Sequence, residues 1–170
     1  MNSASRFLSA VSIATIVALG IAVWTNAKAS EHESAHATSP ANYLPSVSDL
    51  MIATIQPRHV KLWVAGQHHN WKLAAYEMET LTGAFRRLIQ AHPEEDGVAL
   101  KDIVDSVTQQ PFADLDQAIH AKDETRFNKA YGDLTSGCNS CHQALNHGEV
   151  VIRTPKDSAF PNQEFAPTEP

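Results

Sequence analysis

Residues 70–88 read NWKLAAYEMETLTGAFRRL, and this stretch decides the fold class. Trp71, Ala74, Met78, Leu81, Phe85 and Leu88 recur at spacings of three and four, which places them on one face of an α-helix. Asn70 can offer its side-chain oxygen to the free amides of the first turn. His92-Pro93 ends the run, because a residue before proline is driven out of the helical region.

Upstream, a segment from about Val47 to Gln67 carries Val47, Leu50, Met51, Thr54 and Ile55 on one face, with Ser46 or Ser48 as its cap. Pro57 removes a backbone donor there and should kink the helix or split it. Downstream, a third segment from about Val98 to His120 turns Ile103, Val104, Val107, Leu115, Ala118 and Ile119 inward, and Pro111 again implies a bend. A fourth begins after Asp123, which can cap it, with Glu124 at the positive end of the helix dipole. Its inner stripe is Phe127, Tyr131, Leu134, Cys138 and Cys141. Short joints between amphipathic helices make antiparallel neighbours. The fold expected is therefore all-α, an up-down-up-down four-helix bundle over residues 46–147, with helices 1 and 3 kinked at Pro57 and Pro111. No strand or Gly-rich hairpin is expected before residue 148. Val150-Val151-Ile152 reads as a short extended piece in a C-terminal tail, 148–170, that wraps the bundle or stays mobile.

The first 29 residues have the layout of a secretory signal: Arg6, an uncharged apolar stretch from Phe7 to Trp24, then Ala27-Lys28-Ala29 as a leader-peptidase site. The expectation is export to the periplasm of a Gram-negative bacterium, with cleavage after Ala29. The alternative is a retained membrane anchor. Residues 30–45, rich in Ser, Ala, Pro, His and Glu, read as a solvated linker in which His32 and His36 have no metal-ligand spacing. With 13 Lys and Arg against 19 Asp and Glu there is no basic stripe, so nucleic acid is not an expected partner. The two cysteines share one pentapeptide, so no disulfide framework staples the fold.

That pentapeptide, Cys138-Asn139-Ser140-Cys141-His142, carries the chemistry. Covalent haem needs two thiols to form thioethers with its vinyl groups and an imidazole for the iron. On a helix, Cys138 lies three residues from Cys141 and four from His142, so all three share one side. CxxC alone would also suit a zinc half-site or a thiol redox motif. No matched second ligand pair follows, and no α/β pattern surrounds it. One covalent haem c is the cofactor expected, held by Cys138, Cys141 and His142, with His142 as axial iron ligand.

A CxxCH motif near the end of a fourth helix resembles the cytochrome c-prime superfamily, including its His/Met-ligated relatives. Gln56 to Trp63 (QPRHVKLW), Asn70-Trp71, Tyr76-Glu77 and the tail Pro161-Asn162-Gln163-Glu164-Phe165 further resemble a group of small bacterial monohaem cytochromes. The likeness spans most of residues 46–166 and implies the haem and the bundle. The extended tail departs from ordinary cytochrome c-prime proteins, so their dimer geometry is not carried over, although a homodimer stays among the assemblies considered.

The sixth iron ligand separates the roles. A second protein ligand suits electron transfer, and an open face admits small molecules. Counting about 1.5 Å per residue from Ser46 and back from Asn146, Met51 lies roughly 7.5 Å and His142 roughly 6 Å from a shared bundle end. His59 lies roughly 20 Å away on the same count. Met51 is thus the preferred candidate and His59 the alternative; an inward methionine as core filler, with the site open, is the third arrangement. Arg86 or Arg87 could meet a propionate, His147 could line the haem edge, and Trp63 and Trp71 read as core packing rather than an electron relay. The function expected is periplasmic single-electron transfer to redox partner proteins, without an enzymatic signature. The alternative is a five-coordinate haem protein that binds or processes NO, CO or peroxide; a role in a larger respiratory complex is a third.

Overall fold

The computed structural model describes residues 43–168. The leader at 1–29 and nearly all of the 30–45 linker, with His32 and His36, lie outside them.

The first helix opens on a reciprocal cap. The Ser46 hydroxyl accepts from the Asp49 amide at 3.1 Å, and the Asp49 carboxylate accepts from the Ser46 amide at 3.1 Å. Helix α1 (Val47–Leu50) then runs through a π-helical turn (Met51–Ile55) into α2 (Gln56–Gln67). The Gln56 amide reaches back five residues to the Met51 carbonyl. Pro57 follows directly and has no amide to hold the ordinary four-residue register, so the wider turn in front of it costs no bond at that position. The chain stays helical through the proline instead of splitting. Helix α3 (Trp71–Ala91) is capped by Asn70, whose oxygen accepts from the Leu73 amide at 3.1 Å. Helix α4 (Leu100–Ala121) carries Pro111 without interruption, and α5 (Glu124–Ala144) is capped by Asp123.

One expectation is corrected. A two-stranded antiparallel hairpin, β1 (Glu94–Glu95) with β2 (Val98–Ala99), precedes α4. Its turn is Asp96-Gly97, with φ of 50° and 78°. Asp-Gly is a strong signal for a turn that needs positive φ at both central residues. Strands of two residues show no alternation, which is why the pattern reading passed over them.

Three of the helix ends share one device. His69, Lys122 and Asn146 adopt left-handed φ of 54°, 55° and 59°. The following amides of Asn70, Asp123 and His147 each reach back five residues, to Ala65, Ala118 and His142, at 2.9, 3.0 and 2.7 Å. These are Schellman closures made without glycine. At the first two, the closing residue is itself the next N-cap, so α2 turns into α3, and α4 into α5, within two or three residues.

Helix α2 packs on α3, α3 on α4, α4 on α5 and α5 back on α2, so the described chain is mostly helical around one core. Leu62, Leu81, Leu88, Leu100, Leu115, Phe127, Tyr131 and Leu134 form its fully buried centre. Ile103 and Val107, expected inward, are only partly buried. Gly66 is needed at the α2–α5 contact, where a Cβ would stand 2.2 Å from the Phe127 ring. Among the described residues no helix is long and apolar enough to cross a membrane.

Beyond α5 the tail is tied down. Phe165 is buried, and its carbonyl accepts from the Asn70 side chain at 3.1 Å. Lys61 sits 4.6 Å over the Phe160 ring. Glu77 is buried beneath the tail; burial pushes its carboxyl above the usual range, while Lys61, Thr80, Arg58 and Gln163 act against that rise. Lys61 with Phe160, Asn70 with Phe165 and Glu77 with Gln163 thus dock the tail on α2 and α3.

Candidate functional site

The CxxCH pentapeptide occupies the last turns of α5. There the Schellman closure at Asn146 reverses the chain and brings residues 148–152 back over the motif. Asn139, inside the motif, holds the returning segment by both ends of its amide. It donates to the Ile152 carbonyl at 2.8 Å and accepts from the Ile152 amide at 2.7 Å. Two residues earlier, the Val150 carbonyl meets His142 Nδ1 at 2.8 Å. A carbonyl can only accept, so Nδ1 carries a proton, and in the neutral ring the lone pair is then on Nε2. This is the tautomer a metal-binding imidazole needs, oriented by a backbone acceptor.

Beside the motif lies a cavity of about 310 Å³, at the lower end of ligand-pocket sizes. Cys138, Cys141 and His142 line it from α5, and Met51, Ile55 and His59 from the first helix. Phe85 reaches it from α3, Val104, Val107 and Thr108 from α4, and Val150 and Ile152 from the tail. Among the described residues lining it, Glu95 is the one Asp, Glu, Lys or Arg.

The two cysteines are free thiols. Burial, with the neighbouring Cys141, pushes the Cys138 thiol up to about 12, and burial raises Cys141 as well. Both shifts favour the protonated thiol over the thiolate in this apolar setting. Among the described residues no group of three or more His, Cys, Asp or Glu converges on a metal position. The lining is therefore largely apolar, with two thiols and one oriented imidazole set into it.

Gly137, just before Cys138, lets α5 approach α4. A Cβ there would stand 2.5 Å from the Val107 carbonyl oxygen. That carbonyl is four residues before Pro111, so it lacks its usual helical donor. Pro111 strips the carbonyl and Gly137 gives it room, which sets the wall of the cavity at Val107.

Both candidates for a further ligand line the cavity, contrary to the distance count that set His59 apart. They differ in availability. His59 is buried, with Nδ1 2.8 Å from the Tyr131 hydroxyl and Nε2 3.1 Å from Thr135 Oγ1, so both ring nitrogens are engaged. Burial lowers its pKa from 6.5 to about 4. Met51 is partly exposed and opens the π-helical turn, a local geometry frequent at functional sites.

His147 lines the cavity, whereas Arg86 and Arg87 are exposed and stand outside the described lining, close to Gly83. His68 and His69 are exposed, and His69 pairs with Glu124 at 2.9 Å. His92 meets the Pro45 carbonyl at 2.7 Å, and His120 the Asp116 carbonyl at 2.8 Å. Trp63 stacks into the core beside Tyr131 and Phe127 at 4.8 and 6.2 Å. Sequence reasoning did not find the roles of Asn139, Val150, Tyr131 and Thr135. Only Asn139 stood in a motif, and its spacing to Ile152 carries no pattern.

No family model, no curated protein and no solved structure matches the chain.

Proposed function

We propose that this chain is an exported monohaem c-type cytochrome that carries single electrons. Cys138 and Cys141 would hold the haem by thioethers and His142 would bind the iron through Nε2. The observation that carries the reading is the His142 Nδ1 contact to the Val150 carbonyl beside an apolar cavity lined by both thiols. When bound, the haem supplies a one-electron ferric/ferrous couple. The residues supply the rest. His142 is held in one tautomer, Asn139 clamps the tail segment that orients it, and the apolar lining limits water.

Met51 is the proposed sixth ligand: it lines the same cavity, whereas both nitrogens of His59 are occupied. The helices are proposed to run up-down-up-down with bends at Pro57 and Pro111. The leader is cleaved after Ala29, the protein is periplasmic, and it exchanges electrons with a redox protein.

Two measurements test this. Replacing Cys138 and Cys141 with Ala should leave the exported polypeptide at the mass of the bare chain; haem retained through acid–acetone extraction would refute thioether attachment. The ferric spectrum should be low-spin with the long-wavelength methionine charge-transfer band, the ferrous form should ignore CO, and Met51→Ala should abolish both properties. A high-spin ferric spectrum with prompt CO binding would transfer the function to a five-coordinate protein acting on NO, CO or peroxide.

A further inference from the structure

Exposed apolar side chains gather at the mouth of the cavity. Ile52 is 64% exposed and Val150 47%, and both line it. Val151, between the lining residues Val150 and Ile152, is 72% exposed. Ile52 belongs to the π-helical turn and the valines to the tail, so two segments distant in the chain meet around one opening. None of the three is covered by the rest of the chain, which leaves their apolar surface for contact with another molecule.

Acids surround this patch. Glu95 lines the cavity, with Glu94 and Asp96 beside it on the hairpin. Asp49 follows the lining residue Ser48, and Glu149 precedes Val150. Arg153 is the one Lys or Arg on the stretches 46–52, 94–96 and 147–153. Five acids less one base leave four negative charges at the mouth, of a formal net charge of -6 for the whole chain. Elsewhere acids and bases offset one another: Lys101 pairs with Asp105 and Lys129 with Asp133.

We infer that the cavity mouth is a docking surface for a redox protein that presents a small apolar centre ringed by Lys or Arg. The inference rests on the haem reading above and gives its electron-transfer partner a chemical class. A protein seated on Ile52 and Val150 stands directly over the cavity. The acidic ring selects that protein by charge: it speeds the approach of a basic face and repels acidic proteins and anionic lipid. An apolar centre of three side chains suits a small, transient complex, which a carrier has to leave after each electron.

The test uses the intact holoprotein, with haem content first established by mass. Oxidation of the ferrous form by tris(phenanthroline)cobalt(III), a cation, and by ferricyanide, an anion, is followed by stopped flow at rising salt. Between about 10 mM and 500 mM salt the rate with the cation should fall about tenfold and the rate with the anion should rise. Glu94→Gln, Glu95→Gln and Glu149→Gln together should flatten both dependences. Glu79→Gln, Asp114→Asn and Glu124→Gln, the same change of charge away from the mouth, should leave them in place. Mitochondrial cytochrome c, a basic protein, should shift the amide NMR signals of Ile52, Glu95, Val150 and Val151. Ile52→Ser should weaken that binding several-fold without changing its salt dependence. Equal salt dependences in the two triple variants, or signals shifted on another face, overturn the docking surface and leave the haem reading intact. Binding of phosphatidylglycerol vesicles through these residues assigns the mouth to a membrane and overturns it as well. A protein without haem overturns the reading on which the inference rests.

Discussion

Gly137 and Gly132 lie on the same helix, five residues apart, and replacing each with Ala should have opposite effects. A Cβ at Gly132 meets nothing within 4 Å. There the change should stabilise the protein by about 0.5–1 kcal/mol, the usual gain when alanine replaces glycine inside a helix. At Gly137 the same gain is opposed by a contact of 2.5 Å with the Val107 carbonyl oxygen and of 3.3 Å with the Val107 carbonyl carbon and Cβ. Ordinary van der Waals contact begins at 3.4 Å, so α5 and α4 must part by about 0.9 Å. The obstacle is backbone on a proline-containing helix, not the end of a flexible side chain, so relief needs a shift of the helix. Overpacking of this kind costs about 1–3 kcal/mol, and Gly137→Ala should be less stable than Gly132→Ala by about that amount. Urea unfolding followed by far-UV circular dichroism reads both variants on one scale. Under the proposed haem attachment at Cys138, the next residue, the displaced helix should also shift the optical spectrum in Gly137→Ala alone. Equal stabilities for the two variants would refute the argument that Gly137 exists to admit the Val107 carbonyl.

The other predictions follow from single contacts. Gly66→Ala places a methyl 2.2 Å from the buried Phe127 ring and should cost about 2–3 kcal/mol, measured as a lower urea midpoint. Asn139→Ala removes both bonds to Ile152, worth about 1–3 kcal/mol together, and should speed tryptic cleavage after Arg153 about tenfold. An unchanged cleavage rate would mean the tail segment is held by other contacts. His59 titrates near 4 when folded against 6.5 for the free ring, so between those values the unfolded chain binds the extra proton. Stability attributable to His59 is therefore flat above about pH 6.5 and falls by up to about 3 kcal/mol as pH drops towards 4. In His59→Gln that part of the pH slope should vanish; an identical slope would place the titrating group elsewhere.

Much of this architecture is legible in the chain itself because it rests on local rules. The stripe Trp71 to Leu88, the Asn70 and Asp123 caps and the Ser46 start depend on residues three or four apart, and helical geometry translates those spacings directly into faces and capped ends. The same rule puts Cys138, Cys141 and His142 on one side of α5. The Asp96-Gly97 turn was equally local and was missed only because its strands are two residues long. The left-handed closures at His69, Lys122 and Asn146 were less visible, since residues with a Cβ take that conformation only when the surrounding helices hold them there.

What only the tertiary structure decided are relations between residues far apart in the chain, which no periodicity encodes. A tail carbonyl at Val150 selects the tautomer of His142, and Asn139 reads the backbone of Ile152 thirteen residues on. Gly137 is matched to a carbonyl that Pro111 has stripped of its donor on another helix. His59 and Met51, eight residues apart, reach one cavity, and there Tyr131 and Thr135 occupy the histidine while Met51 stays outside their network. Sequence spacing determines which side chains share a face. Packing alone decides which carbonyl, hydroxyl or cavity that face meets.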